Sequence, residues 1–244
     1  MSDAAPGEMR FLGPSSDRLV ALGYDIDYVP LSGGGSAEHN AGEIARYFES
    51  QVSEHTGSIV VIAYSKGVVD VMRFLVGYPG LAQRIDAVVS YAGAVNGSPL
   101  AEVYPEFLVD LALSVGGSDP GDGAGLSSLR PSVQMPWLAK NPLPDHISYF
   151  SLAAFTGPEN VSVVLFDNYD RLAQINAKND GQLIYYDQVL PGSTLLGYMN
   201  GDHWAIALPF TEESKRLAST LVTKNVFPRD AMLEAVLVYV SEQL

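Results

Sequence analysis

The stretch that decides the fold is SIVVIAYSKGVVDVMRFL, residues 58–75. Its first half is a short run of β-branched apolar residues, Ile59 to Ala63, which is typical of a buried strand. Its second half is apolar on nearly every helical face from Val68 to Val76, which is typical of a buried helix. Ser65 lies between them, with an alanine and a glycine two positions to either side. The stretch therefore predicts a strand, a sharp turn that carries a serine, and a helix.

A serine on such a turn is typical of a nucleophile. The usual pattern is G-x-S-x-G, because larger side chains two positions away are expected to collide across a strained turn. Here the first glycine is Ala63 and the second is Gly67. The N–H groups at the start of the following helix favour negative charge, so the backbone N–H of Lys66 is a candidate oxyanion donor. The alternative is a serine that caps an ordinary strand-to-helix loop.

A nucleophilic serine needs a base, and chain order selects among the four histidines. With this motif the order is serine, acid, histidine, which favours a histidine after Ser65. His39 precedes it in a loop, and His146 begins a predicted strand. His203 lies in LLGYMNGDHWAIALPF, where a short apolar run ends in a polar turn. Because parallel sheets build their sites beyond the carboxyl ends of their strands, His203 is the predicted base.

The acid that orients the imidazole is predicted to be Asp180, in NDGQLIYYDQVLPGS. It precedes a glycine and a predicted helix, and it lies between the serine and the histidine in the required order. Asp202 is adjacent to His203, and neighbouring side chains usually point apart. Asp167 is predicted to lie on a solvated face. These two residues remain the alternatives to Asp180 for fixing the tautomer and stabilising the imidazolium.

Further short apolar runs indicate a mostly parallel central sheet flanked by helices. IDAVVSYAGAV and HISYFSLAAF read as buried strands separated by helical segments, which is typical of a parallel sheet with both faces covered. Near the start, a helix from Ser15 to Leu22 and a strand from Tyr24 to Val29 are predicted. The last 33 residues are predicted to form two helices split by Pro228.

A long irregular segment, residues 97–145, interrupts this pattern within a predicted single domain, 1–244. Insertions of this length in compact domains are commonly lids or binding loops. Its apolar residues Phe107, Met135 and Trp137 are predicted to cover an apolar substrate, and Tyr64 is predicted to line the acyl pocket beside the nucleophile. The alternative is a structural excursion packed on the core.

Composition restricts the class of partner. The chain has 244 residues, of which 47% are hydrophobic and 17% charged, which is typical of a folded globular protein. Its 14 basic and 28 acidic residues give a net charge of −14. Nucleic acids and anionic membrane surfaces bind clustered Lys and Arg, so neither is expected as a partner. A neutral or apolar small molecule fits the charge better.

The absence of cysteine excludes disulfides, thiolate metal sites and a cysteine nucleophile. That composition fits a cytoplasmic protein and equally a secreted bacterial protein without disulfides, and the first thirty residues lack a signal-peptide pattern. No apolar run reaches the ~18 residues of a membrane helix, so stable membrane insertion is not expected. No cofactor is predicted. Asp119 and Asp122 in GSDPGDGAG could hold a cation. A flexible loop is the simpler explanation of this segment, so no metal is predicted.

Taken together, AYSKG after SIVVI, NDGQLIYYDQVLPGS and NGDHWAIAL resemble the α/β-hydrolase superfamily, in its bacterial serine esterase and lipase branch. LGYDIDYVPLSGGGSAEHNAGEI and YAGAVNGSPLAE resemble the same branch, so the likeness covers about residues 10–210. The resemblance implies a Ser65–Asp180–His203 triad and hydrolysis of an ester through an acyl-enzyme. It is weak for the identity of the substrate.

The beginning of the chain departs from this family. An apolar strand normally precedes the first helix, and the loop after it donates the second oxyanion N–H. Either residues 11–14 serve as a shortened loop, with Leu12 as the donor, or the chain begins after the segment that held it. A missing strand would leave a sheet edge that a second copy of the chain could cover, so a homodimer is a further expectation.

The residues therefore favour a serine esterase or lipase acting on an apolar carboxylic ester. Two alternatives stay open. One is a hydrolase-fold binding protein with impaired or absent catalysis. The other is an acyltransferase, amidase or lactonase that uses the same three residues.

Overall fold

The computed structural model describes residues 13–52, 55–103, 121–208 and 227–244. Helices and strands alternate along these segments. In chain order they are α1 Gly13–Ala21, α2 Ala37–Tyr47, β1 Val60–Tyr64, α3 Lys66–Gly77, α4 Pro79–Ala82, β2 Ala87–Tyr91, α5 Leu100–Val103, α6 Pro131–Lys140, β3 Ser148–Phe155, α7 Phe166–Ala173, β4 Thr194–Asn200 and α8 Arg229–Ser241. A π-helical turn, Phe48–Val52, continues α2, and short 3-10 turns occur at Ser127–Leu129, Pro158–Asn160, Val163–Leu165 and Tyr185–Gln188.

The four described strands form one parallel sheet in the order β1-β2-β3-β4. Tyr64 at the end of β1 is opposite Tyr91 in β2, and Tyr91 is opposite Leu152 in β3. The carboxyl ends of the strands therefore meet along one edge of the sheet, where the loops that follow them gather. The predicted parallel sheet flanked by helices is confirmed.

Apolar side chains cover both faces of the sheet, which explains why the strands read as continuous apolar runs. On one face, α2 and α3 pack on alternate strand residues that include Ala63 and Val88. On the other face, α8 and the segment from Trp204 to Leu208 pack on the intervening residues, among them Tyr64, Val89 and Tyr91. The triad candidates lie at the carboxyl edge between these two layers.

The predicted strand from Tyr24 to Val29 is not a strand. Within the described residues they make no backbone ladder with β1, whose described strand neighbour is β2. Tyr24 and Ile26 pack against the apolar cluster of Leu19, Leu233 and Leu237, as two residues of β1 also do. Asp25 and Asp27, which alternate with them, are exposed. The alternation behind the prediction is real, but it reflects side-chain packing rather than strand pairing.

Other predicted elements fall as follows. The helix ended by Gly23 is α1, and the helix after Pro228 is α8. The helix predicted before Pro228 lies, apart from Phe227, outside the described residues. In the part of the chain that the structure describes, no helix combines the length and apolar character needed to cross a bilayer.

Candidate active site

Ser65 occupies a strained turn between β1 and α3. Its backbone has φ 53° and ψ −124°, and Ala92 is the other described non-glycine residue with positive φ. Such conformations cost of order 1–3 kcal/mol and persist only where the surroundings hold them. Here the Ser65 N–H donates to Tyr91 O at 3.3 Å, and Ala94 N–H donates to Ser65 O at 3.0 Å. The end of β2 therefore holds the N–H of the serine, and the loop that leaves β2 holds its carbonyl group.

A side chain as small as that of alanine would meet no neighbour at Gly67, the small residue after Ser65. A Cβ built on Gly67 has no heavy atom within 4 Å outside its own helix backbone and chain neighbours. The close approach occurs instead at Gly93, where a Cβ would lie 2.5 Å from Val68 Cγ2 and 2.4 Å from Ser90 Oγ. The neighbouring loop can therefore reach the Ser65 turn only because position 93, 28 positions after Ser65 in the chain, is a glycine.

His203 lies in the loop after β4, as predicted. Its Nε2 is 2.8 Å from Ser65 Oγ, and its Nδ1 is 2.7 Å from Asp180 Oδ2. Its backbone N–H donates to Asp180 O at 2.8 Å, so main chain and side chain attach to the same residue. The side chains of His203 and Asp180 have no exposed surface, and Ser65 is 3% exposed. The three predicted residues are brought together in a buried chain of hydrogen bonds.

Asp180 is held by its own turn rather than by the start of a helix. In place of the predicted helix, Gly181 (φ 89°) turns the chain back into an isolated bridge between Asn179 and Ile184, and only a 3-10 turn follows. Asp180 Oδ1 accepts the N–H groups of Gln182 and Leu183, at 2.9 and 2.7 Å. These bonds fix Oδ1 in the turn and leave Oδ2 facing the imidazole.

Gln188 is a site residue that sequence reasoning missed. Its side-chain amide bonds to both backbone groups of Ala154 in β3, accepting at 2.6 Å and donating at 2.9 Å. The same Nε2 lies 3.3 Å from Asp180 Oδ2. The Gln188 amide thus pairs with the backbone of β3 as a neighbouring strand would, and it also donates to the Asp180 carboxylate. No sequence signal marks it, since it is one polar residue in an irregular stretch.

Tyr64 is turned toward the histidine. Its hydroxyl donates to His203 O at 2.5 Å, and its ring stacks on the imidazole with centroids 4.9 Å apart and an interplanar angle of 28°. Burial raises the pKa of Tyr64 well above its ordinary value, with the nearby carboxylates of Asp180 and Asp202 adding to the effect. The phenol therefore stays neutral and remains a donor. The structure places Tyr64 against His203, and its position in the acyl pocket stays a prediction.

The alternative acids have other partners. Asp202 Oδ2 accepts the backbone N–H and the hydroxyl of Ser162, each at 2.6 Å, and its Oδ1 accepts the N–H groups of Trp204 and Ala205. Burial raises the pKa of Asp202 despite these bonds. Asp167 is exposed in the first turn of α7. The carboxylate that contacts the imidazole is that of Asp180.

Lys66 is the first residue of α3, so its backbone N–H has no intrahelical acceptor and points out of the helix start. Its side chain is buried and pairs with Asp70, with Nζ 2.8 and 3.0 Å from the two carboxylate oxygens. Asn40 of α2 donates to the same carboxylate at 2.8 Å. Burial raises the pKa of Asp70 to about 6, while the Lys66 ammonium opposes that rise. Leu12, the other predicted oxyanion donor, lies outside the described residues.

The two predicted substrate-covering residues that the structure describes, Met135 and Trp137, have different surroundings. Phe107 lies outside the described residues. Trp137 and Met135 are on α6, where Met135 is exposed and Trp137 packs under Arg73, whose Cζ lies 3.6 Å from the ring centroid. Arg73 also donates to Glu38 of α2 and to Gln134 of α6. The described part of the 97–145 insertion is thus fastened to α2 and α3.

The glycine-rich loop that could hold a cation is engaged within the protein. Asp122 accepts the backbone N–H and the hydroxyl of Ser36, at 2.7 and 2.6 Å, and these bonds lower its pKa to about 2. Asp119 lies outside the described residues. Among those that are described, no three potential metal ligands cluster together.

Comparison with solved structures identifies the family. A metagenomic carboxyl esterase is 40% identical and aligns over 97% of this chain and 71% of its own length, with a TM-score of 0.86. The chain belongs to the esterase and lipase group of the α/β-hydrolases. No protein-family model matches the sequence, and no curated protein matches it either.

Two more distant structures share the fold of this α/β-hydrolase. A lipase of Bacillus licheniformis in its mature form is 20% identical, covers 78% of this chain and 76% of its own, and has a TM-score of 0.64. Phospholipase PlaB of Legionella pneumophila is 16% identical, covers 72% of this chain and 40% of its own, and has a TM-score of 0.51. Membership of the group makes the protein an esterase- or lipase-like hydrolase.

Proposed function

We propose that this α/β-hydrolase cleaves apolar carboxylic esters through an acyl-enzyme, with Ser65 as nucleophile, His203 as general base and Asp180 as the residue that orients the base. The observation that carries the proposal is the continuous hydrogen-bond chain, Ser65 Oγ to His203 Nε2 at 2.8 Å and His203 Nδ1 to Asp180 Oδ2 at 2.7 Å. Both distances are within the reach needed for proton transfer.

The chemistry runs in two halves. Ser65 Oγ attacks the ester carbonyl as its proton passes to His203 Nε2, and the imidazolium then gives that proton to the departing alcohol. A water molecule, deprotonated by the same nitrogen, attacks the acyl-enzyme and releases the carboxylic acid. Asp180 holds the proton on Nδ1, so that Nε2 is free to accept. It also stabilises the transient imidazolium.

The backbone N–H of Lys66 is the donor assigned to the oxyanion in this proposal. It lies next to the nucleophile at the start of a twelve-residue helix, where the helix dipole favours negative charge. Loss of one oxyanion donor typically costs ~10²–10³ in kcat. The second donor, assigned to Leu12 from sequence, stays a prediction.

The ester class has support of its own. The relative that is 40% identical is named a carboxyl esterase. The net charge of −14 disfavours an anionic substrate, which leaves neutral or apolar esters as the expected class. Nitrophenyl esters of short and medium chain length are therefore suitable first substrates.

The test compares Ser65→Ala with Ser58→Ala, an exposed serine before the other end of β1. We expect the wild type and Ser58→Ala to hydrolyse nitrophenyl butyrate, and Ser65→Ala to lose at least ~10⁴-fold in kcat. A fluorophosphonate probe should label Ser65, as mapped by mass spectrometry. A folded wild-type protein that turns over no ester, or a label on another residue, would refute the proposal. A competing alcohol or amine in the same assay distinguishes hydrolysis from acyl transfer.

A further inference from the structure

Two tyrosines reach from the sheet to the loop that carries His203. Tyr64 and Tyr91 are direct partners in the β1–β2 ladder, and both side chains belong to the same apolar layer. The Tyr64 hydroxyl donates to His203 O at 2.5 Å, and the Tyr91 hydroxyl donates to Ile206 O at 3.0 Å. Tyr64 is 9% exposed and Tyr91 has no exposed surface. Both therefore fasten this loop by the same kind of buried bond.

Tyr64 contacts the imidazole of His203 as well as the backbone of the loop. The ring of Tyr64 stacks on the imidazole of His203, with centroids 4.9 Å apart and planes inclined by 28°. The backbone and the side chain of His203 are thus held by one residue, the backbone by the phenol hydroxyl and the imidazole by the ring face. Tyr91 bonds three residues further along the loop.

We propose that Tyr64 is a positioning residue that keeps the imidazole aligned with Ser65 and stabilises its protonated form. The inference rests on the proposed role of His203 as general base. An aromatic face carries negative electrostatic potential and attracts a cation placed over it, most strongly where water is excluded. The imidazolium forms here without exposed surface, so the ring and the Asp180 carboxylate are the groups that offset its charge.

Other ionisable groups lie near the histidine and are the same in every variant of Tyr64 described below. Asp180 contacts it from the preceding loop, and Asp202 precedes it in its own loop. Tyr91 approaches from β2. Arg229, at the start of α8, donates to Ala205 O at 2.9 Å. None of them is altered when Tyr64 is replaced, so a change in pH dependence reports the ring.

The test is the pH profile of kcat/KM for Tyr64→Leu, with Tyr91→Leu as the matched control. Rate rises with pH as the base loses its proton, so a less stable imidazolium moves the acidic limb to lower pH. We expect Tyr64→Leu to shift this limb down by about 0.5–1.5 pH units and to lower kcat by about 10- to 100-fold. Tyr91→Leu should lower Tm by about as much as Tyr64→Leu does, but the acidic limb of its pH profile should stay where it is in the wild type. Tyr64→Phe keeps the ring, so its limb should stay and its kcat should fall only a few-fold.

A nearly isosteric pair covers the case in which Tyr64→Leu does not fold. Phenylalanine and 3,4,5-trifluorophenylalanine at position 64 fill the same space, but fluorine withdraws the negative potential from the ring face. The fluorinated protein should show the acidic limb at lower pH than Tyr64→Phe, and the same exchange at position 91 should leave it unchanged. If the acidic limb lay at the same pH in Tyr64→Phe and in the fluorinated protein, the inference about Tyr64 would be overturned, but the proposed triad would not be affected. Loss of the proposed function would instead appear as an inactive wild type or an active Ser65→Ala.

Discussion

The backbone N–H of Ala94 donates to the carbonyl oxygen of Ser65 at 3.0 Å, which ties the strained serine to the loop leaving the neighbouring strand. The loop can come so close because Gly93, directly before Ala94, has no side chain to meet Val68 and Ser90. The conformation of the serine is therefore supported from a segment that the A-x-S-x-G motif does not include.

Gly93→Ala should accordingly disturb the turn, whereas Gly67→Ala should not. A Cβ at position 93 would lie 2.5 Å from Val68 Cγ2, and relieving that contact must move the loop or α3. We expect Gly93→Ala to lower Tm by about 5 °C and kcat by at least about 10-fold. Gly67 lies in the first turn of α3 with open space beside it, so alanine there should leave Tm unchanged or raise it by up to ~3 °C. Equal Tm values for the two variants in differential scanning calorimetry would contradict this assignment.

Asp180→Asn and Asp202→Asn should separate catalysis from stability. Asparagine at 180 can keep its oxygen on the N–H groups of Gln182 and Leu183, which leaves an NH₂ facing His203 Nδ1. That arrangement favours the tautomer with its proton on Nε2, so kcat should fall by about 10⁴-fold with little change in Tm. In Asp202, one carboxylate oxygen accepts from Ser162 and the other from the N–H groups of Trp204 and Ala205. Asparagine keeps only one of these two oxygens, so Asp202→Asn should cost about 1–3 kcal/mol of stability and less than 10-fold in kcat. A larger kcat loss at 202 than at 180 would favour Asp202 as the acid.

The buried pair of Lys66 and Asp70 should be far more sensitive to truncation than an exposed pair. Asp70→Ala removes the acceptor of both Lys66 Nζ and Asn40 Nδ2 and leaves buried donors without a partner, which typically costs about 3–5 kcal/mol. The control is Glu234→Ala, which breaks the ion pair of Arg18 with Glu234, whose side chains are 59% and 27% exposed. That change should cost less than about 1 kcal/mol. Urea unfolding at pH 7 measures both, and similar losses would mean that Lys66 finds another partner.

Asp70 should also give the stability a pH dependence of known sign. Burial raises its pKa from 3.8 to about 6, so the folded carboxyl holds its proton more tightly than the unfolded one. The stabilisation linked to that proton is complete below pH 3.8, the ordinary pKa, and is lost as the pH rises through the folded pKa of about 6. Urea unfolding of the wild type and Asp70→Asn across this interval measures the difference. The stability advantage of the wild type should shrink with rising pH, and an advantage that grows would show that the Lys66 ammonium outweighs the cost of burial.

The helix α6 should behave as a fixed element rather than a moving lid. Arg73 stacks on Trp137 and donates to Gln134, and Gln134 in turn donates to Val95 O at 2.9 Å. In hydrogen–deuterium exchange, residues 131–140 should be protected to a degree similar to α3. Arg73→Lys, which keeps the charge but loses the planar contact, should speed their exchange by about 10-fold and leave α8 unchanged. Rapid exchange of 131–140 in the wild type would instead support the lid predicted from sequence.

Much of the fold could be predicted because its signals are local. The apolar runs that became β1, β2 and β3, and the turn at Ser65, are each contained in fewer than a dozen consecutive residues. Tyr24 to Val29 shows the limit of such signals. Its alternation predicts a strand, but a strand exists only where another backbone pairs with it, and that partner is not part of the local pattern.

Local patterns were enough to predict the turn at Ser65, the parallel sheet and the chain order of Ser65, Asp180 and His203. The contacts that only the folded chain reveals are those of Asp180 with the imidazole, of Gly93 with Val68, and of Tyr64 and Gln188 with His203 and Asp180. The physical reason is separation along the chain. Tyr64 lies 139 residues from His203, and Gln188 lies 34 residues from Ala154, so no local pattern records either contact. Each contact exists only because the carboxyl ends of the strands meet at one edge of the sheet.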